Sequence, residues 1–425
     1  MRKRFSWVVA NMVSLRFPQR LKLVILCLLS GVFSSIFVAM DIYYLNIVMP
    51  DPIVYGLLTE WIGLAFSFLL MIFFSIPFKE GKTIGYFLDP TFDKVKLPRG
   101  KILLYLIGAG LSASFSTFSY FILTSITDPS TILPLSKLVI VYLLVAEIFY
   151  EKDAPTYIEI ISISLIIMGV FLVSFVKAGF GFMETLIILG PYNLGLTFYT
   201  YFQKLARDCR EEGITNDSLN LRIWSLFFLT LFMSIFSIPL IDDTRWNLII
   251  RYGQDTYSLI FIIIDMSFAF FAYIFYLRAL GMGKMSVVNS ITSISVVLGI
   301  PLTLIGNIIY PGAFGVIPTE LEIWVFKTIG SILVIEGIVA LSITQERSYI
   351  LIKMKYPYEL DIMPLLKQIK GVESVAAVAG NYDYILRVKI RSIAKVYNML
   401  VRKIEKLPAI KEITTMKIIK EWERI

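Results

Sequence analysis

The sequence predicts an all-α membrane protein of ten transmembrane helices, built as two inverted five-helix repeats, with an α+β domain at its C-terminus. Three observations carry that expectation. The 425 residues are 57% hydrophobic, 14% aromatic and only 17% charged, with a mean hydropathy of +0.75, far from the averages of water-soluble domains. Apolar windows long enough to cross a bilayer recur along most of the chain. Beyond Gln345 the apolar residues change from helical spacing to alternation.

The windows run near 22–45, 54–77, 101–125, 131–149, 156–176, 182–203, 221–240, 256–279, 287–309 and 323–344. Each approaches the roughly 20 apolar residues that a hydrocarbon core of ~30 Å requires. The connectors sort by charge. The N-terminal arm and the stretches 78–101 and 203–222 are rich in Lys and Arg, whereas 46–53, 126–130 and 310–322 carry none. These groups alternate as ten helices require, so both termini are expected in the cytoplasm of a multi-pass protein of the cell membrane. The start, MRKRFSWVVANMVSLRFPQRLK, is too basic and too interrupted for a cleavable signal peptide. The resulting division is a basic arm (1–20), a first repeat (21–177), a second repeat (178–345) and a C-terminal domain (346–425).

Composition also removes whole classes of chemistry. The chain has no His and two Cys, Cys27 in an apolar run and Cys209 in a polar one. That excludes imidazole metal sites and Ser-His triads, and it gives no disulfide framework or zinc site. No G-x-x-x-x-G-K-[ST] cradle for phosphates is present, so transport would be passive, exchange-type or ion-coupled. Nothing points to an enzyme, a metal or a cofactor. The net charge is +8, and sixteen Lys/Arg against nine Asp/Glu fall after Gln345. A basic tail suits either nucleic acid or an anionic leaflet. Without a DNA-reading motif, membrane lipids are the expected partner and nucleic acid is not.

At an offset of 156 residues, Phe115 aligns with Phe271, Tyr120 with Tyr276 and Ser130 with Ser286. Each stretch is the third-to-fourth helix of a five-helix half. Five is odd, so the halves have opposite orientation and a substrate site is expected near the midplane between them. The run STILPLSKLVIVYLLVAEIFYEKDAPTYIEIISISLIIMGVFLVS (130–174), with its Glu151-Lys152 elbow and Gly169, resembles the fourth and fifth helices of the drug/metabolite transporter superfamily, the EamA-like group. LTFYTYFQKL (196–205) resembles the opening of that group's second half. The resemblance covers roughly 20–345. It departs in the second half, where no such elbow follows the fourth helix and the connector NIIYPGAFGVIPTELEIW is longer.

The tail reads SYILIKMKY as a strand, ELDIMPLLKQI as a helix, SVAAVAG and DYILRVKI as strands around Gly380-Asn381-Tyr382, IAKVYNMLVRKIEK as a helix and AIKEITTMKIIK as a strand. The order βαββαβ is that of a ferredoxin-like domain. Gly371-Val372, Gly380/Tyr382/Asp383, Leu407-Pro408 and Thr415 resemble the effector-binding (RAM) domain of Lrp/AsnC-type regulators, over about 348–420. The resemblance implies an amino-acid effector near Gly380, Tyr382, Asp383 and Thr415, and assembly as a homodimer or higher homo-oligomer. Ile350, Ile352, Leu386 and Val388 are the apolar positions expected to need a second copy as cover. The short connector from Thr344 to Tyr349 would pass a ligand-linked change to the tenth helix.

In the apolar part, ionisable residues deep in a span are expensive and mark candidate sites. Asp265 lies mid-helix, and helical spacing places Phe268, Ala269, Ala272, Tyr273 and Tyr276 on its face. Ala109, Ser112, Ser116, Thr117 and Tyr120 form the matching face of the third helix. Asp265 either contacts substrate or is a buried carboxylate satisfied by hydroxyls. Lys137 either attracts a substrate carboxylate or snorkels. Asn289 is a further candidate, or a polar tie between helices. Asp41 and Glu60 are placed near the outer ends, in a wetted vestibule. The expected function is secondary transport of a small-molecule substrate, an amino acid or similar metabolite. The alternatives are transport of a nucleotide-sugar or lipid-linked intermediate, or a non-transporting receptor or scaffold.

Overall fold

The computed structural model describes residues 19–79, 81–147, 157–174, 182–209, 216–314, 320–343, 346–355, 362–369, 372–390, 404, 407 and 410–417. Leu26–Leu341 forms one compact unit and the C-terminal residues belong to another. The Glu151-Lys152 elbow, the 344–345 connector, Gly371 and Pro408 lie outside the described residues.

The first helices are α1 (Gln19–Ile47), α2 (Pro52–Phe74) and α3 (Gly100–Thr124). Asp51 starts α2 by accepting from the backbone N–H of Ile53 and Val54, which satisfies donors that have no partner inside the helix. A short hairpin, β1 (Pro77–Lys79) with β2 (Lys82–Thr83), lies between α2 and α3. The fourth window is interrupted: α4 (Pro129–Leu135), a tight turn at Ser136–Leu138, then α5 (Val139–Ala146). The fifth is α6 (Tyr157–Val173). The second half holds α7 (Phe182–Ile187), α8 (Asn193–Asp208), α9 (Ser218–Ser237), the connector helix α10 (Asp243–Gln254), α11 (Thr256–Leu280), α12 (Met285–Thr292), α13 (Ile294–Ile309) and α14 (Leu321–Ile343).

Among the described residues, eight segments are long and apolar enough to cross a membrane, which is compatible with a membrane protein. The other two windows differ. α6 is 17 residues long. The sixth window is not one helix, because Gly190 leaves helical geometry (φ −85°, ψ −109°) ahead of Pro191, whose ring cannot continue the ladder. Burial is inverted relative to a soluble protein. On α8, Asn193, Thr197, Thr200, Gln203 and Lys204 are buried while Leu194 and Phe198 are exposed.

The two interruptions correspond. Lys137 stands in the turn after α4 and Ser293 in the turn after α12, separated by the repeat offset of 156. Both have local causes. Pro134 lacks an N–H and crowds the preceding turn, and the Ser136 hydroxyl donates to the carbonyl of Leu133. Thr292 and Ser293 hydroxyls both donate to the carbonyl of Asn289, competing with the backbone ladder.

In the C-terminal unit, β3 (Glu346–Met354), β4 (Val372–Ala377), β5 (Tyr384–Ile390) and β6 (Ile410–Lys417) form one antiparallel sheet in the order β4-β5-β3-β6. The helix α15 (Met363–Lys367) precedes β4. The second expected helix falls largely on residues outside the described set. Ile350 pairs with Leu386, and Ile350, Ile352, Leu386 and Val388 are fully buried with Ile362, Leu366 and Ile404. They are therefore core and not the face awaiting a second copy. Alternation separates two faces of a strand but does not say which one the helices cover. The opposite face carries Leu351 and Met416, the latter 53% exposed.

Candidate functional site

A cavity of about 170 Å³ lies inside the 26–341 unit. Its walls come from α1, α2, α3, the α4–α5 and α12–α13 interruptions, α8, α9 and α11. Of the candidates read from sequence, Lys137, Tyr120, Tyr276 and Asn289 all line it. The expected faces are partly correct. Ser116, Thr117, Ala269, Ala272 and Tyr273 reach the cavity, whereas Phe268 packs on Phe33 and Ser112 donates to its own helix at Gly108.

The candidates are tied into two networks. Tyr276 Oη accepts from Asn289 Nδ2 at 2.9 Å and lies 2.8 Å from Thr200 Oγ1. This joins α8, α11 and α12 across the cavity floor of the second repeat. Lys137 Nζ reaches Thr292 Oγ1 at a long 3.4 Å, so the two helix interruptions face each other. Tyr120 Oη donates to Asp41 Oδ2 at 2.6 Å, and Tyr55 Oη donates to Asp41 Oδ1 at 2.7 Å. Two phenol donors on one carboxyl make a fixed acceptor position in the wall.

Two groups, Asp41 and Glu60, lie elsewhere than the sequence suggests. Asp41 is 1% exposed and Glu60 7%, and both line the cavity, so neither stands in a wetted vestibule. Window ends are uncertain by about a turn, and a turn is enough to carry a residue from rim to interior. Asp265 is fully buried, with Asp41 and Glu60 as electrostatic neighbours. It stands behind the cavity lining, with the Asp41 carboxyl, and no hydroxyl, within hydrogen-bonding reach. The hydroxyl-satisfied alternative for Asp265 is therefore not what the structure shows.

Arg222 escaped the sequence reading altogether, because it was grouped with the charges of the 203–222 connector. It is the fifth residue of α9, 4% exposed, with its guanidinium 4.1 Å from the Tyr273 ring. The signal was available. Asp217 is an N-cap whose carboxylate accepts from Asn220 N, so the helix starts at Ser218 and takes Arg222 inside.

In the C-terminal unit, Gly380 has φ +151°, and an added Cβ there would meet open space, so backbone conformation is what favours glycine. Asp383 is committed to the fold. Its Oδ2 accepts from Met354 N at 2.7 Å and its own N–H donates to the carbonyl of Ile352. Tyr382 Oη lies 3.1 Å from Thr414 Oγ1. Thr415 pairs with Ile350 and shares the Ile350 face, so Tyr382 and Thr415 do not converge through β6.

Residues 348–424 match the family model described as the Lrp/AsnC ligand binding domain. No curated protein matches the chain. Among the solved structures it resembles is one titled "Crystal structure of protein", at 13% identity and a TM-score of 0.46, covering 74% of this chain and 98% of that one.

Proposed function

We propose that the chain is a secondary transporter of amino acids or similar small metabolites, carrying a cytoplasmic amino-acid sensor at its C-terminus. The reading gives it ten spans in two inverted repeats of the EamA-like kind. One observation carries it: a cavity with cationic and anionic side chains on its walls, at two helix interruptions that stand at equivalent repeat positions. Discontinuous helices at a repeat interface are where transporters hold substrate, and charged side chains buried in apolar spans are costly unless they are used. The sensor reading rests on the Lrp/AsnC match at 348–424 and on a strand order that fits a ferredoxin-like domain. Assembly through the sheet face bearing Leu351 and Met416 follows from the same reading.

The test is counterflow of labelled amino acids in proteoliposomes. Flux is expected, and a chain truncated after residue 345 should keep it while losing any response to amino acid on the sensor side. Asp265→Asn should reduce flux at least ~10-fold with the protein still folded, as expected when a buried functional carboxylate is neutralised. Absence of flux for every amino acid in both directions, with sugar nucleotides carried, would replace the cargo. Absence of flux for all of them would leave the receptor or scaffold.

A further inference from the structure

The cavity holds two cations, and they are differently employed. Lys137 Nζ already has Thr292 in reach. Arg222 is 4% exposed and lines the cavity, yet its Nε finds no hydrogen-bond partner among the described residues. The guanidinium carbon lies over the Tyr273 ring, 4.1 Å from its centroid. Beside it, the Tyr199 hydroxyl lies within hydrogen-bonding reach of Arg222, Ser225 and Gln203. Buried polar atoms normally find partners, so the unpartnered Nε of a guanidinium on the cavity wall is a donor open to a polar ligand group. Glu60 is the electrostatic counter-charge to Arg222 but forms no ion pair with it.

We propose that Arg222 is the anchor for a substrate carboxylate, with Tyr199 completing that subsite and Asp41 receiving the substrate ammonium. This rests on the transport reading and narrows its cargo to small zwitterions bearing a free carboxylate. The chemistry follows from the side-chain types. A guanidinium presents a planar fork matched to a carboxylate, and its cation–π contact with Tyr273 holds it at the cavity wall before the ligand arrives. Tyr199 adds a donor without charge, with Gln203 behind it within hydrogen-bonding reach. Asp41, held by Tyr55 and Tyr120, supplies a preset carboxyl acceptor. Lys137 belongs to the other end of the recognition problem, at the helix interruptions, where it is placed to contact whatever the zwitterion carries beyond its backbone groups.

The test uses full-length protein in detergent, heated with three probes: a mixture of the twenty amino acids, the same mixture as amino-acid amides, and their decarboxylated amines. Wild type should be stabilised by the amino acids and not by the amides or amines. Arg222→Gln should weaken that stabilisation at least ~10-fold, the scale of a lost charge-assisted hydrogen-bond pair. Arg222→Lys should recover only part, because charge returns without the fork. Amino-acid binding to the C-terminal domain survives both changes, so the difference between wild type and variants reports the cavity alone. Should Arg222→Gln unfold by stranding Glu60, the Glu60→Gln/Arg222→Gln pair removes both charges and gives the same comparison. Lys137→Gln should retain the preference for carboxylate over amide. Equal stabilisation by amides, or a preference lost in Lys137→Gln but kept in Arg222→Gln, overturns the subsite. So does the absence of stabilisation by any carboxylate probe at millimolar concentration. Counterflow separates the two readings. Flux that carries amides as well as acids sinks the subsite and leaves the transporter, whereas carboxylate-dependent stabilisation without any flux sinks the transporter and leaves the subsite.

Discussion

Two ends of the same helix bundle meet one electrostatic need with opposite charges. At the start of α4, Asp128 accepts from the hydroxyls of Ser130 and Thr131, and Lys327 of α14 donates to Ser130 Oγ at 2.5 Å. The equivalent start, 156 residues on, belongs to α12. There Lys284 replaces Asp128, Glu147 accepts from both the N–H and the hydroxyl of Ser286, and Glu159 of α6 meets Lys284 at 3.3 Å. A helix N-terminus favours negative charge. One end supplies its carboxylate from the same helix start and takes the lysine from α14. The other has the lysine in place and imports two carboxylates from α5 and α6. Repeat-equivalent positions thus share a requirement and not a residue type, which is why aligned identity between the halves is thin.

The sharpest way to break this comparison is to separate the helices that carry the imported groups. α6 and α14 meet at Gly169 and Gly330: a Cβ on either would stand 2.5 or 2.6 Å from the other's carbonyl oxygen. Gly169→Leu or Gly330→Leu should cost about 3 kcal/mol, the upper end of ordinary overpacking. The loss should appear as a fall in thermal stability and in monodisperse yield. An unchanged melting temperature would contradict the close approach.

Glu147 is the next most sensitive point. Glu147→Leu leaves the buried Ser286 N–H and hydroxyl without their acceptor, at about 2 kcal/mol. Glu147→Gln keeps one acceptor oxygen and should lose about half as much. Asp128→Asn should lose less than Glu147→Leu, because its side-chain partners are hydroxyls that can turn elsewhere. The reverse order in thermal unfolding would mean that the two ends are not equivalent in the way described.

A charge exchange sharpens the comparison further. Asp128→Lys with Lys327→Glu rebuilds at one end the arrangement found at the other. Each single change places like charges together, so the double variant should recover about 1 kcal/mol beyond additivity. Strict additivity would show that the lysine and carboxylate act independently.

These contrasts also show what was legible in the sequence. Hydropathy located the eight long apolar helices among the described residues, because crossing a bilayer would constrain about twenty residues at once. Tyr120 and Tyr276 were found through the repeat, and Asn289 and Lys137 as polar groups within apolar windows. Register was harder. Asp41, Glu60 and Arg222 each sit within a turn or two of a window's end, where reading cannot separate rim from interior. Ile350 and Leu386 were recognised as one apolar face, but which face the helices cover depends on packing that alternation does not encode. The break at Gly190-Pro191 carried the usual signal of a helix interrupter and was overridden by the apolar run around it.

The smallest effect tests whether the device extends beyond the apolar spans, at the start of α9. Ser218 N donates to Asp89 of the connector between α2 and α3, while Asp217 caps the helix from within the same chain segment through Asn220 N. Burial works to raise Asp89. The Arg207 guanidinium at 3.3 Å and hydrogen bonds from Ser218 and Thr91 outweigh it and hold the carboxyl at about 2. Burial, with the charge of Asp89 beside it, pushes Asp217 up to about 6 against its bonds to Asn220 and the attraction of Arg207. The signs are opposite. Asp89, depressed in the folded protein, contributes stability present above its unfolded value near 3.8 and lost as pH falls towards 2. Asp217, raised in the folded protein, contributes stability present below about 4 and lost as pH rises through 6. Asp217→Asn keeps a capping oxygen and removes only the second dependence, so it should gain on wild type between pH 4 and 7 by about 1 kcal/mol. Asp89→Asn should be the less stable protein at neutral pH and converge on wild type near pH 2. Melting temperatures collected across that range decide it: a constant offset for Asp217→Asn would mean that its carboxyl titrates no differently in the folded and unfolded chain.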